Sequence, residues 1–166
     1  LKRLPAPVQL TLRGNPLPGY VEHLRELARG HPLADHLRFE PVAPPDQMVP
    51  LCVWHDIGLS VEDGSTLNRR LCLTNKLFVY LLAGLPVVLS DTPAQRALAG
   101  DLGNSAVVAR HGDAESLAAA LMPWQEQPEK LRAARAQAWR LAAERFNWET
   151  EQARWLNTLQ ETLQWV

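Results

Sequence analysis

The sequence predicts an α/β domain with a mainly parallel sheet flanked by helices, and three observations carry that prediction. Strand-like apolar runs alternate with segments of helical period along the chain. Residues 85–89, Leu-Pro-Val-Val-Leu, form an apolar run with no polar alternation, as in a strand covered on both faces. Directly after it, Thr92-Pro93-Ala94-Gln95 is a capping-box pattern with proline at the first helical position, so a helix amino end abuts a strand carboxyl end.

Element by element, residues 8–12 read as a short strand ended by Arg13, Gly14 and Asn15. Residues 20–28 follow as a helix, with Val21, Leu24, Leu27 and Ala28 on one face and Glu22, Arg25 and Glu26 on the other, and Gly30 stops it. Residues 37–42 are a second strand; Pro44, Pro45 and Asp46 turn the chain into a short helical segment running towards Val53 and Trp54. Residues 56–61 form the third strand. Residues 62–73 have no clean period and carry Asp63, Gly64, Ser65, Asn68, Arg69 and Arg70, which predicts a long polar loop.

Thr74 or Asn75 caps the next helix, whose Leu77, Phe78, Val79, Leu81, Leu82 and Ala83 are apolar all round, as in a buried helix ended by Gly84. Residues 85–89 are the fourth strand, 93–99 a short helix and 106–109 the fifth strand. Asp113 caps a helix through residue 121, and Pro128 opens an Ala/Arg-rich helix to about residue 145. Phe146, Asn147 and Trp148 break it. Residues 149–163 resume with Trp155, Leu159 and Leu163 in a four-residue stripe, an amphipathic helix that must dock on something.

The balance of 17 Lys plus Arg against 18 Asp plus Glu, a formal charge of -1, gives no broad field for polyanions and argues against a nucleic-acid protein. Cys52 and Cys72 sit among apolar neighbours in no ligand spacing, which suits buried thiols in a reducing, cytoplasmic compartment. The five histidines are scattered, so no metal is implied, and no glycine-rich dinucleotide or P-loop motif calls for a cofactor. No nucleophile elbow is present. Trp139, Trp148 and Trp155 are expected to pack in the core or at an interface. The chain opens on Leu without a signal peptide and is expected to be a piece of a longer protein.

Ligands of parallel sheets bind beyond the strands' carboxyl ends. Three connections are expected there: Gly14 with Asn15, residues 62–75, and residues 90–93. The helix start at Asn75 and Lys76 offers unpaired amides and partial positive charge, and Lys76, Arg69 and Arg70 add full charges, a set able to hold a diphosphate. Glu62 could accept hydrogen bonds from sugar hydroxyls. The plainer alternative is that these cations solubilise a loop and that Glu62 and Asp63 form an exposed acidic turn.

Residues 75–97, Asn-Lys-Leu-Phe-Val-Tyr-Leu-Leu-Ala-Gly-Leu-Pro-Val-Val-Leu-Ser-Asp-Thr-Pro-Ala-Gln-Arg-Ala, resemble the carboxyl-terminal, donor-binding half of GT-B glycosyltransferases, most like family 4. Residues 56–62, ending in Glu62, look like the family's strand ending in Ser and Glu; residues 10–14 resemble its earlier strand ending in Gly; residues 113–121 and 145–148 are similar to its closing segments.

The resemblance implies one Rossmann-like half of a GT-B fold: a single nucleotide-sugar-binding domain over 1–166 with 147–166 as a terminal docking helix. Its partners would be a nucleotide diphosphate sugar and an amino-terminal GT-B half missing from this chain, through which any peripheral membrane contact would run. The function implied is transfer of a sugar to a hydroxyl acceptor, with the fragment inactive alone. Glu62 and Lys76 would be catalytic, and Gly14, Arg69, Arg70, Asn75, Ser90 and Thr92 donor-binding. Two departures stand out. Val79 occupies the place of the family's second glutamate, and Thr74 replaces a proline before the lysine. A noncatalytic interaction domain with a degenerate donor site, or a GT-B nucleotide-sugar epimerase, is the alternative. The family's central first strand also has no counterpart, which predicts either an upstream segment or a rearranged sheet edge.

Overall fold

The computed structural model describes Leu4 and residues 8–163, leaving aside the side chains of residues 32 and 33. The order is β1 (Leu10–Arg13), α1 (Tyr20–Ala28), β2 (Leu37–Glu40), α2 (Met48–Cys52), β3 (Gly58–Ser60), α3 (Leu67–Leu71) and α4 (Asn75–Leu82). It continues with β4 (Val87–Ser90), α5 (Pro93–Leu102), β5 (Ala106–Ala109), α6 (Ala114–Glu126), α7 (Pro128–Glu144) and α8 (Trp148–Leu163). Short 3₁₀ turns precede β2, α2 and β5. The strands form a β3-β4-β5 sheet and a separate β1-β2 pair, all parallel. The architecture is the Rossmann-like α/β arrangement with flanking helices.

The alternation along β4 explains its composition. Val87 and Leu89 point to one face, against Leu77 and Leu81 of α4, Leu98 and Leu102 of α5, and Ala138 and Ala142 of α7. Val88 points to the other, against Leu121 and Trp124 of α6 and Ala134 of α7. Both faces are covered, so every residue of β4 is buried. Alanines at 134, 138 and 142 recur every four residues and let α7 lie close against α4, α6 and the turn before β5. Gly58 has a parallel role: a β-carbon there would collide with the Tyr80 ring of α4.

Several elements differ from expectation. The stretch predicted as loop contains α3, capped by Thr66, whose Oγ1 accepts from the Arg69 N–H at 3.2 Å; five residues are too few to show a period. The helix after Asp113 runs through Pro123 to Glu126, where burial of Trp124 outweighs the lost amide. Leu27 lies outside the apolar stripe of α1, since Val21, Leu24 and Ala28 fill it and Leu27 sits about 100° round the helix.

At the chain's end Asn147 works in both directions. Its Nδ2 donates to the carbonyls of Ala142 and Ala143 at the end of α7, while its Oδ1 accepts from the Thr150 N–H at 2.8 Å. Trp148 therefore starts α8 instead of ending α7. Of the core or interface packing expected for Trp139, Trp148 and Trp155, the core is ruled out, because they are 61%, 66% and 59% exposed. Trp139 is turned about 100° from Ala138 on the buried stripe. No residue of α8 is buried, and Trp155, Leu156, Leu159 and Leu163 all face outwards. Residues 164–166 of the expected docking helix lie outside the described residues. No helix among the described residues is long and apolar enough to cross a membrane.

The strands thus fall into two separate groups. Among the described residues β1 pairs only with β2 and β3 only with β4, so each leaves one edge outside a ladder.

Candidate functional site

The site is built where β3 and β4 end and α4 and α5 begin. Parallel strands deliver their last residues, Ser60 and Ser90, to one edge, and both serines are buried. The Glu62 N–H donates to Ser90 Oγ at 2.7 Å, which ties the segment leaving β3 to the end of β4. Glu62 is 8% exposed, and a carboxylate so deeply placed needs partners. It has two: Lys76 Nζ lies 2.6 Å from Oε1, and Thr74 Oγ1 donates to the same oxygen at 3.3 Å.

Thr74 holds the N-cap position of α4 but makes no side-chain cap bond, because its hydroxyl is turned to Glu62. The first amides of α4, at exposed Asn75 and Lys76, are thus not covered by a capping side chain. Beyond this, Asp63 accepts from the Ser65 N–H and hydroxyl at 3.0 and 2.8 Å, and those bonds, with Arg69 at 3.1 Å, hold its carboxyl below the usual range. Gly64, with φ of 60°, lets the loop pass between the Arg70 stem and the Thr92 methyl.

The structure thus gathers Glu62, Lys76, Asn75, Arg69, Arg70, Ser90 and Thr92 around one edge. Their exposure divides them. Ser90 is 1% and Thr92 5% exposed, and Thr92 caps α5 by accepting from the Gln95 N–H at 3.4 Å, so both face protein. The cations expected to hold a diphosphate are partly paired: Lys76 is matched by Glu62 and Arg69 by Asp63. Among the described residues, Arg70 is the loop cation with no carboxylate in ion-pair reach.

Gly14 lies elsewhere. With φ of 150° it ends β1 and lines a hollow of about 210 Å³ with Arg13, Asn15, Tyr20, Phe39 and Glu40, whose walls include neither Glu62 nor Lys76. Val79 packs with Cys52, Ala83 and Leu85, an apolar setting in place of a carboxylate. There burial pushes the Cys52 thiol and the Tyr80 hydroxyl up from their ordinary pKa values.

One residue of the site was missed in the sequence. Gln95, fully buried, was expected to reach back within the capping box. Its Oε1 instead accepts from the Ser90 N–H at 2.6 Å, and its Nε2 donates to Ser60 Oγ at a long 3.5 Å. The available signal was a serine closing each of two strands beside a glutamine in the first turn of a helix.

No protein-family model matches the sequence, and no curated protein is similar to it in sequence. The structure is similar to Anabaena HepE bound to UDP and glucose, with a TM-score of 0.76 and 20% identity over 96% of this chain and 42% of that one. HepE bound to UDP-glucose gives a TM-score of 0.76 at 20% identity over 96% of this chain and 43% of that one. WaaG, a glycosyltransferase involved in lipopolysaccharide biosynthesis, gives 0.64 at 18% identity, over 82% of this chain and 34% of that one. The chain spans less than half the length of the structures it matches. What is shared at this identity is the fold, a Rossmann-like α/β architecture.

Proposed function

We propose that this chain is the donor-binding part of a glycosyltransferase, holding a nucleotide diphosphate sugar whose sugar passes to a hydroxyl acceptor. The observation that carries the reading is the Glu62–Lys76 pair at 2.6 Å, set where β3 and β4 end and α4 begins. A buried carboxylate beside an ammonium and uncapped helix amides provides an acceptor for sugar hydroxyls next to donors for a diphosphate. UDP and UDP-glucose in the HepE structures support a nucleotide sugar as the ligand.

On this reading the diphosphate draws Lys76 from Glu62, and Arg70, Arg69 and the amides of Asn75 and Lys76 share its charge. Charge accumulating on the leaving diphosphate is then stabilised by groups fixed beforehand, and Glu62 orients the sugar. Ser90 and Thr92 hold the site from behind, and Gly14 contributes an open backbone to its own hollow. The acceptor and the bond-making cleft belong to a further half, and the exposed apolar stripe of α8 is the surface we assign to docking on it. A strand from that preceding segment would also fill the edges left by β1 and β3. The free cysteines, with Cys52 buried, fit a reducing cytoplasm.

Titration calorimetry with UDP and GDP tests the reading. One nucleotide is expected to bind, with affinity falling about tenfold or more in Lys76→Ala, the loss typical of a hydrogen bond to a charged group. A second reading, a noncatalytic domain with a degenerate donor site, is favoured by Val79 in its apolar cluster. Silence with both nucleotides on folded protein would select it.

A further inference from the structure

We infer that Gln95 is a positioning residue that sets Glu62, and through it Lys76, in place by way of Ser90. A glutamine with no exposed surface is costly unless its amide is satisfied, and here both ends are used to join two strand ends. The β3–β4 ladder ends with Ser60 opposite Leu89, one residue before Ser90, and Gln95 Oε1 takes the Ser90 N–H at 2.6 Å. With its backbone fixed, Ser90 presents its hydroxyl to the Glu62 N–H at 2.7 Å. Glu62 then places Oε1 2.6 Å from Lys76 Nζ. The other end of Gln95 reaches Ser60 Oγ, two residues before Glu62, so the segment is held from both sides. Thr92 fixes the Gln95 backbone by capping α5. Gln95 touches no open surface; its effect passes through buried hydrogen bonds.

The role of these positions in ligand binding rests on the nucleotide-sugar reading, while the hold on Glu62 does not. The experiment therefore has two readouts on the full chain. Amide hydrogen exchange by NMR follows the Glu62 N–H without ligand, and calorimetry follows UDP. Gln95→Met keeps the volume and removes both polar ends; it is expected to speed Glu62 exchange about tenfold while α7 amides keep their rates, and to weaken UDP by a similar factor. Gln95→Glu retains an oxygen for the Ser90 N–H and is expected to restore most of the Glu62 protection. Leu98→Ala, on the same helix and buried but outside the relay, is expected to lower thermal stability without either change.

Should Gln95→Met not fold, Ser60→Ala makes the test from the other end, with a smaller acceleration expected because that bond is long. Unchanged Glu62 exchange in the folded variants, or the same acceleration in Leu98→Ala, overturns the inference. Faster exchange with unaltered UDP affinity overturns the part of it that concerns binding. If wild-type protein binds no nucleotide while Glu62 exchange responds as expected, the nucleotide-sugar reading falls and the positioning of Glu62 by Gln95 stands.

Discussion

The two sheets of this molecule are built from short parallel strands but are buried differently. In β4 every residue is buried, with α4 and α5 on one face and α6 on the other; in β1 every residue is only partly covered, and no ladder joins it to β3 among the described residues. The difference teaches that how firmly a strand is held goes with its coverage and that composition follows, Val-Val-Leu-Ser without alternation in β4 against Leu-Thr-Leu-Arg in β1. Helices on both faces and a neighbour on each edge decide it, and the Glu62–Lys76 pair sits at the end of the sheet that has more of both.

The largest effect expected from this contrast comes from truncating the covered core. Leu81→Ala, fully buried against β4, should lower stability by about 2–5 kcal/mol in denaturant unfolding, whereas Leu12→Ala in half-covered β1 should cost about 1 kcal/mol. Equal losses would break the comparison. An intermediate effect is expected at Gly58, where a methyl group meets the Tyr80 ring: Gly58→Ala should cost about 1–3 kcal/mol by overpacking, while alanine at Gly100, where nothing lies near the added carbon, should not destabilise.

The smallest effect is electrostatic. Asp113 caps α6, and bonds from the Ser116 and Glu115 amides with nearby Arg110 hold its carboxyl below the usual range. A carboxyl whose pKa is lower folded than unfolded contributes stability above its unfolded value, which is lost as pH falls through its folded value. Thermal melts should therefore show a shallower acid limb in Asp113→Asn than in the native chain. Identical limbs would mean that this carboxyl carries none of the acid sensitivity.

Much of the three-stranded region was legible in the sequence because its signals are local and repeated. The unalternated run over residues 85–89, the Thr92-Pro93 start of α5 and the Asp113 cap each have one physical cause; the run forms β4 from Val87 to Ser90, and both helix starts are found in place. Trp124 and Trp139 show the limit: residue type does not distinguish the two tryptophans, and only helix phase buries the first and exposes the second. The gathering of Glu62, Lys76 and Ser90 could be anticipated from the rule that parallel strands end together. Their internal pairing could not, since it depends on Thr74 turning from its helix to Glu62 and on Gln95 leaving its capping box for Ser90.

The most direct measurement is an NMR titration of the full chain with UDP, following the amides of Asn75 and Lys76 and the Lys76 ammonium. Saturable shifts at these positions, with the ammonium signal moving as it exchanges Glu62 for phosphate, are the expected result. Shifts confined to the hollow beside Gly14, or none at the start of α4, would contradict a diphosphate seat at the end of the covered sheet.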